Sequence, residues 1–181
     1  NLIEIFKIWN GGMSFHGGFI GVILAIIYSS KTSKIPIVIF SDLISIVSPI
    51  GLFFGRIANF INGELFGRVT NHHIGMIFPN GGKLPRHPSQ LYEAFFEGLV
   101  LLFIMIFLMN KSNFFEKRGF LTASFLFFYG IFRFFIEYFR EPDGHIGLIY
   151  FNLSMGQILS LPMIVSGLYF MTIFYNNKMD N

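Results

Sequence analysis

The sequence predicts an all-α fold, a polytopic transmembrane helical bundle of about five spanning helices with a small irregular outward-facing loop region. Two observations carry this. Of 181 residues, 53% are hydrophobic and only 13% charged, with mean hydropathy +0.60, whereas soluble domains are about one quarter charged. The apolar runs are also long and continuous rather than alternating, which argues against a β-barrel. There is no cysteine. A disulfide framework, a thiolate metal site and a cysteine nucleophile on this chain are thereby excluded. With 26 Phe and one Trp, Tyr must carry most of any aromatic belt. The net charge of +3 suits a protein beside anionic lipid head groups.

Taken in order, the first residues are mixed, and Gly11-Gly12 is a turn signal. A first helix covers Phe19 to Tyr28 after a glycine-rich entry and is closed by Lys31 and Lys34. A second runs from Pro36, tolerated at a helix start, to about Asn59, and Pro49 should kink it. Residues 66–87 are the longest polar stretch, a loop with room for short strands. A third helix covers Pro88 to Met109, and Lys111, Lys117 and Arg118 form a basic connector. The fourth runs from Gly119 to about Arg140, where Glu141-Pro142-Asp143-Gly144 stops it. The fifth runs from about Asn152 to Tyr175. No repeat, low-complexity tract or linker divides the chain, so residues 1–181 read as one integral-membrane domain. Its start at Asn1 rather than Met reads as a fragment lacking its N-terminus.

Basic residues orient the chain weakly. Lys31, Lys34, Lys111, Lys117, Arg118 and Lys178 lie on one side, and Lys7, Arg68, Lys83, Arg86 and Arg140 on the other. If Arg68, Arg86 and Arg140 serve a site, the lysine connectors face the cytoplasm and the polar loops face outward.

Four groups of polar residues sit where an apolar bundle places them only at a cost, at least ~2.5–3.5 kcal/mol per charge at bilayer depth. The densest stretch is Gly55 to Arg68, with Arg56, Asn59, Asn62 and Glu64. Arg56 and Asn59 share one helix face, and a guanidinium beside an amide suits a phosphate or ester oxygen. The bland alternative pairs Arg56 with a buried acid and leaves Asn59 bonding a neighbouring helix. His16, between Phe15 and two glycines, is either bonded to a backbone carbonyl or a proton acceptor. Ser89 or His87 reads as a helix cap, and Glu93 and Glu97 share a face, where one of them pairs with Arg56 or Arg133. Tyr129, Arg133, Glu137 and Arg140 fall along one stripe of the fourth helix, where an Arg133–Glu137 pair is the structural alternative to a site. His72-His73 lacks metal-ligand spacing, and the serines form no defensible triad. These features leave direct transfer between two bound substrates, or binding without chemistry by a transporter of small anions or lipids. The inverted repeats and paired broken helices common in transporters are not visible in the sequence.

The chain resembles the bacterial prolipoprotein diacylglyceryl transferases. The motifs are Trp9-Asn10-Gly11-Gly12-Met13-Ser14-Phe15-His16-Gly17-Gly18, Gly55-Arg56 through Arg68, and Arg86 through Glu93. Tyr129-Gly130-Ile131-Phe132-Arg133, Glu137-Tyr138-Phe139-Arg140 and Ser154-Met155-Gly156-Gln157-Ile158-Leu159-Ser160 complete them. Ala58 stands where the family often has glycine, and the 66–87 loop is shorter than in well-known members.

The resemblance implies an enzyme of the inner membrane, active toward the periplasmic side. It would move the diacylglyceryl group of phosphatidylglycerol onto the lipobox cysteine of a preprolipoprotein signal peptide, forming a thioether and releasing glycerol phosphate. No metal or other cofactor and no nucleic acid is implied. The family's motif histidine falls on His16, its signature arginine on Arg56 and its asparagine on Asn59, with Glu64 and Gly67 in the same signature. The second essential arginine falls on Arg133, beside Tyr129 and Glu137. The family has about seven spanning helices, so about two are expected before Asn1. The expected roles are phosphate binding by Arg56 and Arg133, proton acceptance by His16, and orientation of the head group by Asn59. Tyr129 and Glu137 would fix Arg133, and Arg140 would lie at the substrate site with them.

Overall fold

The computed structural model describes residues 15–111, 117–142 and 153–176; the side chains of residues 15–17, 19, 175 and 176 lie outside that description. It falls into two compact units, Asn1–Ser41 and Asp42–Asn181. Among the described residues every regular element is helical. Three helices, Ile37–Ile61, Ser89–Lys111 and Met155–Phe174, are long and apolar enough to cross a membrane, and Ile20–Ser33 and Phe120–Ile136 are shorter apolar helices.

The first unit contains α1 (Phe15–Ser33). Its end is built from hydroxyls bonding to carbonyls: Thr32 Oγ1 donates back to Tyr28 O at 2.7 Å, and Ser30 Oγ forward to Ile35 O at 2.7 Å. Lys34 then takes a left-handed φ of 57° and breaks the helix before Pro36.

Most of α2 (Ile37–Ile61) belongs to the second unit, and Pro49 lies buried inside it. Asp42, fully buried, accepts hydrogen bonds from Gly119 N (2.6 Å), Thr122 N (2.8 Å) and Thr122 Oγ1 (2.6 Å). It therefore caps the N-terminus of α5 (Phe120–Ile136) from another helix, satisfying donors that α5 cannot satisfy itself. The capped turn needs Gly119, whose φ is +90° and whose place a side chain would lose to Phe174.

Beyond α2 the chain pairs with itself through isolated bridges, Val69 with Arg86 and Met76 with Arg86, and with the segment after α5 through Gly67 and Arg140. The expectation of short strands thus reduces to single bridges. A methyl group on Gly67 would lie 2.4 Å from Phe139 O and 2.7 Å from His87 O, so this position is set by backbone packing.

A continuous rod follows, composed of α3 (Ser89–Glu93), a π-helical segment (Ala94–Val100) and α4 (Leu101–Lys111). The π segment contains Gly98, packed against Phe53 so closely that a Cβ would lie 2.7 Å from the Phe53 Cβ. Neither Ser89 nor His87 caps α3: Pro88 holds that position without a side-chain bond, and Ser89 Oγ donates instead to Leu65 O. That expectation fails because the preceding loop offers a carbonyl that the serine reaches.

α5 packs most extensively on α6 (Met155–Asn176). Leu101, Met105, Phe120 and Leu121 form a core cluster against which Phe125, Phe128, Tyr129 and Phe132 pack. α6 opens with a capping box: Gln157 N donates to Ser154 Oγ (3.2 Å) and Ser154 N to Gln157 Oε1 (3.0 Å). α5 ends at Ile136, not near Arg140 as the sequence suggested. Tyr138 N and Phe139 N bond to Phe135 O and Ile136 O, closing the last turn tightly and releasing Arg140 to pair with Gly67.

Candidate active site

Three separate pieces of chain bring cations to one buried carboxylate. Glu93, at the end of α3, is fully buried. Its Oε2 lies 2.8 Å from Arg56 Nε of α2, 3.0 Å from Arg133 Nη1 of α5 and 3.6 Å from Arg140 Nη1 beyond α5. Glu97, in the π segment and also fully buried, stands 3.8 Å from Arg56 Nη2 and 3.6 Å from Arg133 Nη1. Glu137 completes the group at 2.8 Å from Arg133 Nη2. Three guanidiniums therefore face three carboxylates. Such balance is required at this depth, because removing one partner of a buried pair strands the other charge and costs about 3–5 kcal/mol.

The arginines are not sealed. The side chains of Arg56, Arg133 and Arg140 are 16%, 14% and 14% exposed, whereas Glu93 and Glu97 are 0% exposed. The acids lie inside and the cations toward the open side. Each guanidinium has five donors, so Arg56, facing two carboxylates, and Arg133, facing three, still keep donors for an anion. Arg56 and Asn59 also line one hollow of about 180 Å³ with Gly51, Leu52 and Gly55. A Cβ at Gly51 or Gly55 would meet nothing within 4 Å, so the hollow is open beside both glycines.

The expected residues separate accordingly. Arg56, Arg133, Glu137 and Arg140 come together, and Asn59 shares the hollow with Arg56. Both bland pairings, Arg56 with a buried acid and Arg133 with Glu137, are present as well. Tyr129, one turn before Arg133 on α5, stacks on Phe125 at 5.6 Å and packs against the core cluster. Glu64 is exposed outside the network: its side chain meets Asn62 Nδ2 at 3.4 Å, and its carbonyl accepts from Gln90 Nε2 at 2.6 Å. Gly67 sits in the loop packing described above. His16 lies in the first turn of α1, and its side chain is outside the described residues.

Sequence reasoning undervalued Glu93, weighed only as a possible partner. The available signal was its four-residue spacing from Glu97 in an apolar helix, since two buried acids require cations. Glu137 has a further constraint: a methyl on Gly156 would lie 2.6 Å from its carboxyl carbon. The glycine lets α6 start against that acid, where the positive end of the helix dipole favours a negative charge.

Above the network the loop is tied by charge. Arg68 Nε donates to Arg140 O (2.9 Å), and Arg86 Nη1 meets Glu141 Oε2 (2.9 Å) while its guanidinium lies over Phe66. His87 Nδ1 lies 3.2 Å from the Tyr92 hydroxyl. Partial burial and, less strongly, the charge of His72 hold the His87 pKa below its usual 6.5. An apolar groove of about 550 Å³ runs along the other face of α3 and α5, lined by Tyr92, Phe96, Phe132, Ile136 and Phe139 among others. Among the described residues no group of three or more His, Asp or Glu side chains is arranged to hold a metal ion.

Fold and site together define a polytopic membrane protein with a buried arginine–carboxylate network open on its cationic side. The sequence profile described as prolipoprotein diacylglyceryl transferase matches residues 1–173, and the chain belongs to that family. It is 57% identical over 169 residues to the phosphatidylglycerol–prolipoprotein diacylglyceryl transferase of Rickettsia bellii strain OSU 85-389, covering 93% of this chain and 64% of the relative. The proteins of the same name from Rickettsia felis and Rickettsia akari are each 56% identical, over 93% and 92% of this chain and 65% and 64% of their own lengths. The chain thus spans just under two thirds of the curated relatives it matches.

Proposed function

We propose that this chain carries the diacylglyceryl transfer named for its relatives, taking the group from phosphatidylglycerol to the lipobox cysteine thiol of a preprolipoprotein in the bacterial inner membrane. The observation that carries the reading is the convergence of Arg56 and Arg133 on Glu93 with their guanidiniums still partly exposed. That arrangement suits a phosphodiester, which offers several acceptor oxygens and one negative charge. Family membership supports the same reaction.

In the proposed reaction the cysteine thiol loses its proton, since the thiolate is the nucleophile. Its sulfur forms a bond to the terminal glyceryl carbon of the diacylglyceryl group. The bond from that carbon to the phosphate oxygen breaks, and glycerol phosphate leaves with the bonding pair. Arg56 and Arg133 stabilise the charge developing on the departing phosphate, the largest contribution expected of such groups. Asn59, beside Arg56 in the hollow, orients the head group. Glu137 and Tyr129 hold Arg133, Arg140 adds a third donor group at the same place, and His16 accepts the thiol proton. Glu64 and Gly67 serve by shaping the loop that closes over the head group. The site faces the periplasm, with the lysine-rich connectors in the cytoplasm.

The test is the full chain in detergent with phosphatidylglycerol and a lipobox peptide. Glycerol phosphate release should fall by about 100-fold or more in Arg56→Ala or Arg133→Ala. Undiminished release from either variant removes that arginine from the reaction, and a well-folded His16→Gln variant with normal turnover moves the base elsewhere.

A further inference from the structure

We propose that Glu93 is a positioning residue, one buried carboxylate whose single oxygen aims three arginines at one head-group phosphate. The inference rests on the transfer reaction proposed above and deepens it by naming what sets the geometry of the phosphate site.

The argument begins with where the three cations come from. Arg56 is on α2, Arg133 on α5 and Arg140 at the Gly67 bridge just past the turn that follows α5, so no single element fixes their mutual arrangement. Arginine side chains are long, and each holds about 2 kcal/mol of rotamer entropy when free. The atom within 4 Å of all three is Glu93 Oε2, at 2.8, 3.0 and 3.6 Å. Glu97 reaches two of them, each at 3.6 Å or more, and Glu137 reaches Arg133. Glu93 is therefore the hub.

Its setting is rigid. Glu93 and its neighbour Ala94 are buried, and Gln90, one turn earlier, is tied to Glu64 O. The π segment begins directly after Glu93 and brings Glu97 to the same cations. Glu93 lies behind the guanidiniums, fully buried while they are partly exposed. It therefore acts through them and does not touch the phosphate. Held from behind, the three planar forks lose little freedom when an anion arrives, the condition for tight and oriented binding.

Two measurements on the full chain in lipid nanodiscs test this. The first is affinity for fluorescent phosphatidylglycerol, with fluorescent phosphatidylcholine as control and no turnover required. The second is steady-state transfer to a lipobox peptide. Glu93→Gln should raise the KM for phosphatidylglycerol and lower kcat/KM by about 100-fold, with the peptide KM within about twofold of normal. Glu93→Asp, which keeps the charge on a shorter stem, should fall between. In an Arg56→Gln, Arg133→Gln, Arg140→Gln background, Glu93→Gln should cost no further phosphatidylglycerol affinity, because a residue acting through the arginines has nothing left to aim. A merely structural role would lower affinity equally in both backgrounds, and that result overturns the proposal. So does a Glu93→Gln variant within about threefold of wild-type affinity. Should Glu93→Gln fail to fold, Glu93→Asp decides: reduced phosphatidylglycerol affinity supports the proposal and unchanged affinity overturns it. If the wild-type chain binds the lipid but transfers nothing, the reaction falls and the affinity cycle still decides the role of Glu93.

Discussion

Asp42 and Glu93 are both carboxylates with no exposed surface, and they are satisfied in opposite ways. Asp42 takes three short hydrogen bonds from neutral donors, two backbone amides and one hydroxyl, all at the start of α5. Both its oxygens are used. Glu93 takes cations, all through Oε2, and its Oε1 has no hydrogen-bond partner among the described residues. Its partners keep donors in reserve on their exposed side. The first arrangement completes a helix end. The second holds charge ready for something else. Burial and formal charge do not distinguish these acids; what their partners still have to offer does.

The largest effect separating the two regions should come from Arg133→Ala. It removes a proposed phosphate ligand and strands charge on Glu137, with a further loss of pairing at Glu93 and Glu97. Transfer should fall by about 100-fold or more, and stability by about 3–5 kcal/mol, read by thermal unfolding in detergent. Arg133→Lys should restore part of the stability and little of the transfer, because a single ammonium cannot reproduce the fork.

Asp42→Ala should break the other region alone. Losing the cap should cost about 1–3 kcal/mol of stability while the KM for phosphatidylglycerol in the folded fraction stays unchanged. A raised KM would mean that Asp42 is coupled to the arginines of the network, through Arg56 on α2 or Arg133 on α5. Next in size, Ser154→Ala should cost about 1 kcal/mol through the capping box at α6, again visible in the melting temperature.

The smallest effect concerns pH. His87 binds its proton less readily in the folded chain than in the unfolded one, so its contribution is present above the unfolded pKa of about 6.5. It is lost as pH falls through the lower folded value. The wild-type melting temperature should therefore drop slightly more between pH 7 and pH 5 than that of His87→Gln, and equal drops would assign the acid sensitivity elsewhere.

The helices were legible because apolar runs punctuated by Gly, Pro and Lys leave few alternatives. Their ends were less so. The tight turn after Ile136 depends on backbone bonds and on the Gly67 pairing, neither visible in local composition. The site was legible in its arginines, since a guanidinium in an apolar helix demands an explanation. The acids behind them were harder to rank, because convergence on one oxygen is a tertiary fact. Asp42 shows the same limit: its partners are Gly119 and Thr122, and nothing near Asp42 in sequence announces them. The capping box at Ser154 and Gln157 has a readable spacing, yet the sequence reading starts the fifth helix at about Asn152 and does not use it.

The π segment has a consequence for how this chain can change. An α-helix turns about 100° per residue, so an extra residue accommodated within one element resets the azimuth of everything beyond it. The rod Ser89–Lys111 is thus two coaxial pieces with independent phases, one presenting Glu93 to the arginines and the other presenting Leu101 and Met105 to the core. Point substitutions between Ala94 and Val100 that spare Gly98 and Glu97 leave both phases alone. Deleting one residue there would preserve an unbroken, equally apolar helix and still turn one of the two faces away from its partners. For this rod, length is a requirement alongside the buried acids and Gly98.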